Sequence, residues 1–184
     1  GRDLVFRRLD ALNLSKRVLI ANDAEAAYEI NCPGDFGILV TVGTGVICLS
    51  RNRGGKTIRV AGLGNDEGDI GSGYWMGKQA IVNLTLNESS VMGDKDLEEI
   101  MDIFLQSVSE VDFQTALENI QESEDSIQII AQLAEPVIQL AEAGNNVALS
   151  VVQEATHAVA NYIILLAEKL NYSQKNIVLA GNGS

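Results

Sequence analysis

The chain has 184 residues, 46% of them hydrophobic, and its 13 Lys and Arg against 25 Asp and Glu give a net charge of −12. This composition is typical of a globular protein and excludes a disordered chain. The negative charge argues against a surface for nucleic acid or anionic membrane, and no run reaches the roughly 20 apolar residues of a bilayer span. We therefore expect neither nucleic acid nor membrane as a partner. No signal peptide is visible in the sequence. We expect a cytoplasmic location.

The first third of the chain predicts an α/β region. The tail of a helix is expected over residues 2–14, a buried strand over 16–21 and a helix over 23–30. Three β-rich runs follow at 38–42, 46–51 and 57–61. Their short connections indicate an antiparallel part of a sheet.

The remainder of the chain is helical by pattern. Helices are predicted over residues 72–86, 95–108, 112–121, 126–143 and 147–170, and a last strand over 176–180. Pro136 should kink the fourth helix or mark a first turn. We expect residues 1–70 to form part of an N-terminal α/β lobe and the start of a second lobe. Residues 71–184 would form a mostly helical C-terminal lobe that ends in the last strand.

A glycine turn, Gly43-Thr44-Gly45, connects the first two β-rich runs. Glycine permits positive φ and close approach of backbone N–H groups to an anion, and successive N–H groups form an anion-binding nest. Thr44 adds a hydroxyl donor suited to a terminal phosphate. A hairpin turn that needs glycine only for its twist is the alternative, and the three residues alone do not separate the two.

Three blocks of the sequence occur in an informative order: ANDAEAA at residues 21–27, GTG at 43–45 and GDIGSGYWMG at 68–77. They resemble the N-acetylglucosamine kinase branch of the BadF/BadG-type ATPases, within the sugar-kinase, actin and heat-shock-protein ATPase superfamily. Residues 130–163 resemble the paired C-terminal helices of that family, and IVLAGNGS at 177–184 its adenine-side strand and turn. The resemblance implies an α/β, ribonuclease-H-like ATPase fold, incomplete here, with a mainly helical C-terminal portion.

The resemblance also implies an activity, the ATP-dependent phosphorylation of N-acetylglucosamine or a related hexosamine. Asp23 would be the general base for the sugar hydroxyl, with a surface acid favoured by the helix dipole as the alternative. The γ-phosphate of ATP would be contacted by Gly43, Thr44 and Gly45. The adenine site would be lined by Gly181 and Gly183, on a turn in which Asn182 is tolerated, with an ordinary strand-ending turn as the alternative.

The acceptor side is implied to contain Asn22, Gly64 and Asp69. Asp69 either holds the acceptor or a water near the metal, or caps the helix that starts at Ser72. Mg²⁺ is implied by the chemistry. Its main ligand in the family lies in a first phosphate loop of the DGGGT type, which has no counterpart here, so no metal ligand is assigned. We therefore expect an internal piece of a longer protein, inactive by itself.

The chain departs from the family pattern at Ile47, Leu63 and Ile70, where an asparagine, a tryptophan and a glutamate are usual. These departures keep open a degenerate sugar- or nucleotide-binding regulator. The other alternative is a BadF-type ATPase that drives a partner protein. That branch has a cluster-bridging cysteine just ahead of the glycine loop, where this chain has LVTV at residues 39–42. Besides a small-molecule sugar, the resemblance implies a second copy of the chain as a partner, because family members often pair as dimers.

Overall fold

A mixed four-stranded sheet carries the α/β part of the fold. The computed structural model describes residues 2–13, 15, 23–32, 37–52, 54–64, 69–171 and 177–183. The strands are β1 (Gly37–Val42), β2 (Val46–Arg51), β3 (Thr57–Ala61) and β4 (Val178–Gly183), in the order β3-β2-β1-β4. The antiparallel pairing of β1 with β2 and of β2 with β3 is confirmed, and β4 joins β1 in parallel. The strand predicted over residues 16–21 lies outside the described residues.

Most of the remaining described residues are helical. The helices are α1 (Arg2–Ala11), α2 (Asp23–Asn31), α3 (Gly73–Leu86), α4 (Lys95–Val108), α5 (Phe113–Glu122), α6 (Ser126–Gln132), α7 (Ala134–Glu142) and α8 (Asn146–Lys169), with a short 3-10 turn at Glu88–Ser90. The architecture confirms the mixed α/β prediction. The division at residue 70 stays a prediction.

The two faces of the sheet are covered by different helices, because successive strand residues point to opposite sides. Leu39 and Leu49 pack with Tyr28 of α2 and with Cys32, which follows that helix. Ile38, Val40 and Cys48 pack on the other side with Leu166 of α8. Within the described ranges, α8 is the one helix whose length and composition would also fit a membrane span. Here it contributes buried residues to the helical core and to the sheet, as a core helix does.

The helical core lies beside the sheet and is built by α3 to α8. Its fully buried side chains include Leu84, Ile100, Phe104 and Val137. The rings of Phe104 and Phe113 meet edge to face at a centroid distance of 5.5 Å. This core fixes the position of α3, α6 and α7, which face the end of β1.

The single helix predicted over residues 126–143 is wrong, because the chain forms two helices that meet at Leu133. Pro136 is the physical reason. Its ring nitrogen cannot donate to the carbonyl of Gln132, and its ring would clash with that carbonyl in a continuous helix. The proline instead sits in the first turn of α7, which is one of the two placements expected for it.

The turn predicted at residues 181–183 is also wrong, because β4 continues through Gly183. Gly183 pairs with Val42, and a Cβ at Gly183 would overlap the Val42 carbonyl oxygen. Glycine is therefore needed at Gly183 for close backbone approach and not for a left-handed turn. Neither glycine nor Asn182 has positive φ.

Candidate functional site

The glycine turn of residues 43–45 lies where β1 ends and β2 begins. The amide of Gly43 donates to the carbonyl of Gly45 at 2.9 Å, which closes the turn. The amides of Thr44 and Gly45 donate to no described residue. Neither glycine has positive φ, so the turn does not need glycine for a left-handed conformation. What it offers a ligand is two successive N–H groups and the hydroxyl of Thr44.

The first turn of α3 is bonded to the carbonyl side of this turn. The amide of Gly73 donates to Gly43 at 2.7 Å, and that of Tyr74 donates to Thr44 at 3.2 Å. The hydroxyl of the buried Ser72 caps the helix by accepting from the amide of Trp75 at 3.1 Å. The amide donors that usually make a helix N-terminus an anion site are therefore satisfied within the protein. Their effect is to hold the glycine turn in place.

A cavity of about 680 Å³ opens between this turn and helices α3, α6 and α7. Its size lies within the range of roughly 300–1,000 Å³ that is typical of small-molecule sites. The hydroxyl of Thr44 donates to Oε1 of Gln128 across the cavity at 3.3 Å. The lining residues are Val42, Gly43, Thr44, Gly73, Met76, Gln128, Ala131, Gln132, Ala134, Glu135, Ile138 and Gln139.

Gln128 was not found from the sequence. It lies 84 positions after Thr44 on a helix whose pattern shows only amphipathic periodicity. No motif marks it, and only the packing of α6 against α3 brings it to the turn. A Cβ at Gly77 would overlap the carbonyl oxygen of Ile130, so this packing depends on a glycine in the GDIGSGYWMG block.

Asp69 is a buried residue, 6% exposed, whose Oδ2 lies 3.2 Å from the place a Cβ would take at Gly45 in the glycine turn. Its Oδ1 accepts from the amides of Gly62 and Leu63, each at 3.0 Å. The interpretation of Asp69 as the cap of α3 is wrong, because Ser72 is the cap. Burial, followed by the charge of Asp69, raises the pKa of Tyr162 on α8.

Asp23 begins α2, as predicted, and is exposed. Its Oδ1 accepts from the amide of Ala24 at 2.9 Å. Helix α2 is held on the sheet by the buried Tyr28 and by an ion pair between Glu29 and Arg51. Asp23 does not line the cavity. Its role as a base stays a prediction.

The remaining predicted site residues are Asn22, Gly64, Gly181 and Gly183. Asn22 lies outside the described residues. Gly64 is exposed with a φ of +106°, a left-handed conformation that favours glycine. Gly181 and Gly183 pair with Val40 and Val42, so β4 runs beside the strand that leads into the glycine turn. Their contact with a base stays a prediction.

The described residues contain no group of three or more His, Cys, Asp or Glu that could hold a metal ion. Mg²⁺ usually takes one or two carboxylates and completes its shell with water and substrate phosphates, so these residues identify no Mg²⁺ ligand. We therefore assign no metal ligand in this chain.

Residues 8–184 match the sequence profile of the BadF/BadG/BcrA/BcrD ATPase family. The chain is 30% identical over 184 residues to the N-acetylmuramic acid/N-acetylglucosamine kinase of Clostridium acetobutylicum, covering 99% of this chain and 58% of that protein. It is 28% identical over 157 residues to the N-acetyl-D-glucosamine kinase of Dictyostelium discoideum, covering 85% and 49%. The chain thus spans about half the length of the curated relatives it matches.

Two solved structures share the fold. One is a proposed N-acetylglucosamine kinase from Chromobacterium violaceum, with a TM-score of 0.66 and 22% identity over 82% of this chain and 49% of that one. The other is a proposed N-acetylglucosamine kinase from Porphyromonas gingivalis, with a TM-score of 0.59 and 22% identity over 86% and 50%. At this identity the likeness shows the fold alone. The sugar-kinase ATPase fold expected from the sequence is confirmed.

Proposed function

Given that the chain belongs to the BadF/BadG/BcrA/BcrD ATPase family, we propose that it forms part of an ATP-dependent kinase for N-acetylglucosamine or a related hexosamine. The names of its curated relatives support this acceptor class. The observation that carries the proposal is the glycine turn of residues 43–45. The amides of Thr44 and Gly45 donate to no described residue, and Thr44 lines a cavity large enough for a nucleotide.

The glycine turn binds the terminal phosphate of ATP in this proposal. The amides of Thr44 and Gly45 and the Thr44 hydroxyl donate to phosphate oxygens, as in other backbone anion nests. To do so, the hydroxyl must leave the Oε1 atom of Gln128. A flip of the Gln128 amide would let Nε2 donate to the same hydroxyl oxygen, so that the oxygen keeps a partner while its proton points to phosphate.

Asp23 acts as the general base on the acceptor. The sugar oxygen bonds to the γ-phosphorus as the bond from phosphorus to the β,γ-bridging oxygen breaks, and ADP leaves. The carboxylate, which stands at the start of α2, takes the hydroxyl proton. Asn22, Gly64 and Asp69 lie on the acceptor side, and Gly181 and Gly183 on the adenine side. Mg²⁺ neutralises phosphate charge in such transfers.

We also propose the setting in which this reaction occurs. The small-molecule sugar is the principal partner, and the protein pairs with a second copy of itself. The cytoplasm supplies ATP and a reducing medium. Cys32 and Cys48 are both buried and free, which suits such a compartment.

The test is ADP release from ATP with a panel of hexoses and hexosamines, using the full-length protein that contains this chain. Asp23→Asn should lower kcat by roughly 10²- to 10⁴-fold, the usual contribution of a general base. Glu25→Gln is the matched control, because Glu25 is a second acid in the first turn of α2. It should leave kcat unchanged.

The other outcomes have definite meanings. ADP release that needs no sugar and is unchanged by Asp23→Asn would contradict the kinase proposal. It would indicate an ATPase that drives a partner. Sugar binding without ADP release would leave a degenerate binder. A loss of activity in both variants would show that the acids act through α2 stability and not through proton transfer.

A further inference from the structure

Residues 61–64 form a strained turn that begins with Ala61, the last residue of β3. Ala61 has a φ of +62°, followed by +72° at Gly62, and Gly64 has +106°. A left-handed alanine is strained, because its Cβ crowds the following carbonyl. Such a conformation persists only where the surrounding structure fixes it.

Asp69 is what fixes this turn. Its buried Oδ1 accepts from two successive amides, those of Gly62 and Leu63, at 3.0 Å each. Hydrogen bonds to an ionised carboxylate are stronger than neutral ones, and two of them offset the strain of the left-handed Ala61. The same side chain therefore sets the direction in which Leu63, which is 65% exposed, leaves the turn.

The clamped turn stands next to the glycine turn of residues 43–45. Ala61 pairs with Ile47 on β2, and a Cβ at Gly62 would lie 3.3 Å from Cγ1 of Ile47. Oδ2 of Asp69 lies 3.2 Å from the place a Cβ would take at Gly45. The carboxylate thus fills the space between the two turns, and a larger residue at Gly45 would push it away.

Residues 69–74 are also bonded to the glycine turn through their backbone. The carbonyl of Asp69 accepts from the amide of Ser72 at 3.0 Å. Ser72 caps α3, whose next two amides donate to Gly43 and Thr44. One stretch of six residues, 69–74, is therefore bonded to both turns.

We propose that Asp69 is a positioning residue that holds the 61–64 turn at a fixed place relative to the phosphate-binding turn, so that acceptor and phosphate meet in register. This rests on the proposed function, in which Gly64 contacts the acceptor. Asp69 acts on this turn through the amides of Gly62 and Leu63, which donate to its Oδ1.

Hydrogen exchange tests the clamp without any activity. In Asp69→Ala, amides of the 61–64 turn should exchange roughly tenfold faster or more, since two charge-assisted bonds are lost. Asp69→Asn keeps an acceptor oxygen and should fall between the wild type and Asp69→Ala. Asp102→Asn, an exposed carboxylate on α4, is the control and should change nothing. Unchanged exchange at 61–64 in a folded Asp69→Asn or Asp69→Ala protein overturns the proposal.

Steady-state kinetics of the full-length protein tests the positioning role. Asp69→Asn should raise KM for the sugar by about tenfold and KM for ATP by much less, since the charged bonds that fix the turn are weakened. Equal changes in KM for the sugar and KM for ATP would contradict a selective effect on the 61–64 turn. A wild-type protein without phosphoryl transfer would defeat the kinase proposal, whereas the exchange result would still decide whether Asp69 clamps the turn.

Discussion

The amide of Gly73 donates to the carbonyl of Gly43 at 2.7 Å, so α3 begins on the turn that ends β1. A Cβ at Gly73 would lie 3.0 Å from that carbonyl oxygen and 3.3 Å from the carbonyl oxygen of Ala131 on α6. The position is therefore tight on two sides. The glycine turn of residues 43–45, the start of α3 and the wall of the cavity consequently form one unit, and under the proposed function substitutions in any of them should affect nucleotide binding.

Thr44→Val should separate phosphate binding from a purely structural turn. Valine keeps the shape of the side chain and removes the hydroxyl, so we expect kcat/KM for ATP to fall about 10- to 100-fold, as for a lost hydrogen bond to a charged group. Thr44→Ser keeps the hydroxyl and should retain most activity. Equal kcat/KM values for ATP in Thr44→Val and wild type would indicate that the turn is an ordinary hairpin.

Ser72→Ala should weaken both stability and nucleotide binding. It removes the cap of α3 and should cost about 1 kcal/mol in the free energy of unfolding. The side chain of Asp112 caps α5 by accepting from the amide of Thr115. Asp112→Ala removes this cap and should cost a similar free energy of unfolding. Calorimetric titration with ATP distinguishes them, because only the α3 cap lies beside the glycine turn. Equal loss of ATP affinity in both variants would contradict this.

Gly77→Ala should be one of the more damaging single-methyl changes in the chain. The added Cβ would overlap the carbonyl oxygen of Ile130, so α6 must move away from α3. Overpacking of this kind costs typically about 1–3 kcal/mol. Thr85→Ala, at an exposed position on α3, is the control and should change stability little. Urea unfolding of the two variants measures the difference, and a stable Gly77→Ala protein would show that α6 is not packed as described.

Cys48→Ala should reduce the loss of stability at high pH. Burial raises the pKa of Cys48 from its ordinary 9.0 to about 11. Below pH 9 the thiol is protonated in both states, and its contribution is fully present. Between about pH 9 and 11 the unfolded chain releases the proton and the folded chain keeps it, so stability falls by on the order of 2 kcal/mol.

The measurement is chemical unfolding at about pH 8 and about pH 10.5 for both proteins. The alanine variant has a constant penalty for the lost side-chain volume, so only the difference between the two pH values is informative. The wild type should lose more stability than Cys48→Ala over this interval. Parallel losses would indicate that the thiol is accessible to solvent in the folded protein.

The local pattern of the sequence was sufficient for the elements themselves. β-rich runs bounded by glycine turns predicted β1, β2 and β3 almost to the residue, because strand alternation and turn chemistry are properties of neighbouring residues. The same holds for α4, where Asp94 caps the first turn. The helix predicted over residues 126–143 was not divided at Leu133, because a long amphipathic pattern continues across that residue, although a first turn at Pro136 was one of the two expectations.

The sequence by itself determined the α/β class, the family and the glycine turn as a phosphate-site candidate, because each depends on a contiguous motif. Only the tertiary structure decided what surrounds that turn. Gln128 reaches Thr44, Asp69 clamps the turn at Gly62 and β4 extends beside β1 through contacts between distant segments. Such contacts are selected by packing of whole elements, and a glycine such as Gly77 shows its reason only when the opposite backbone is in place.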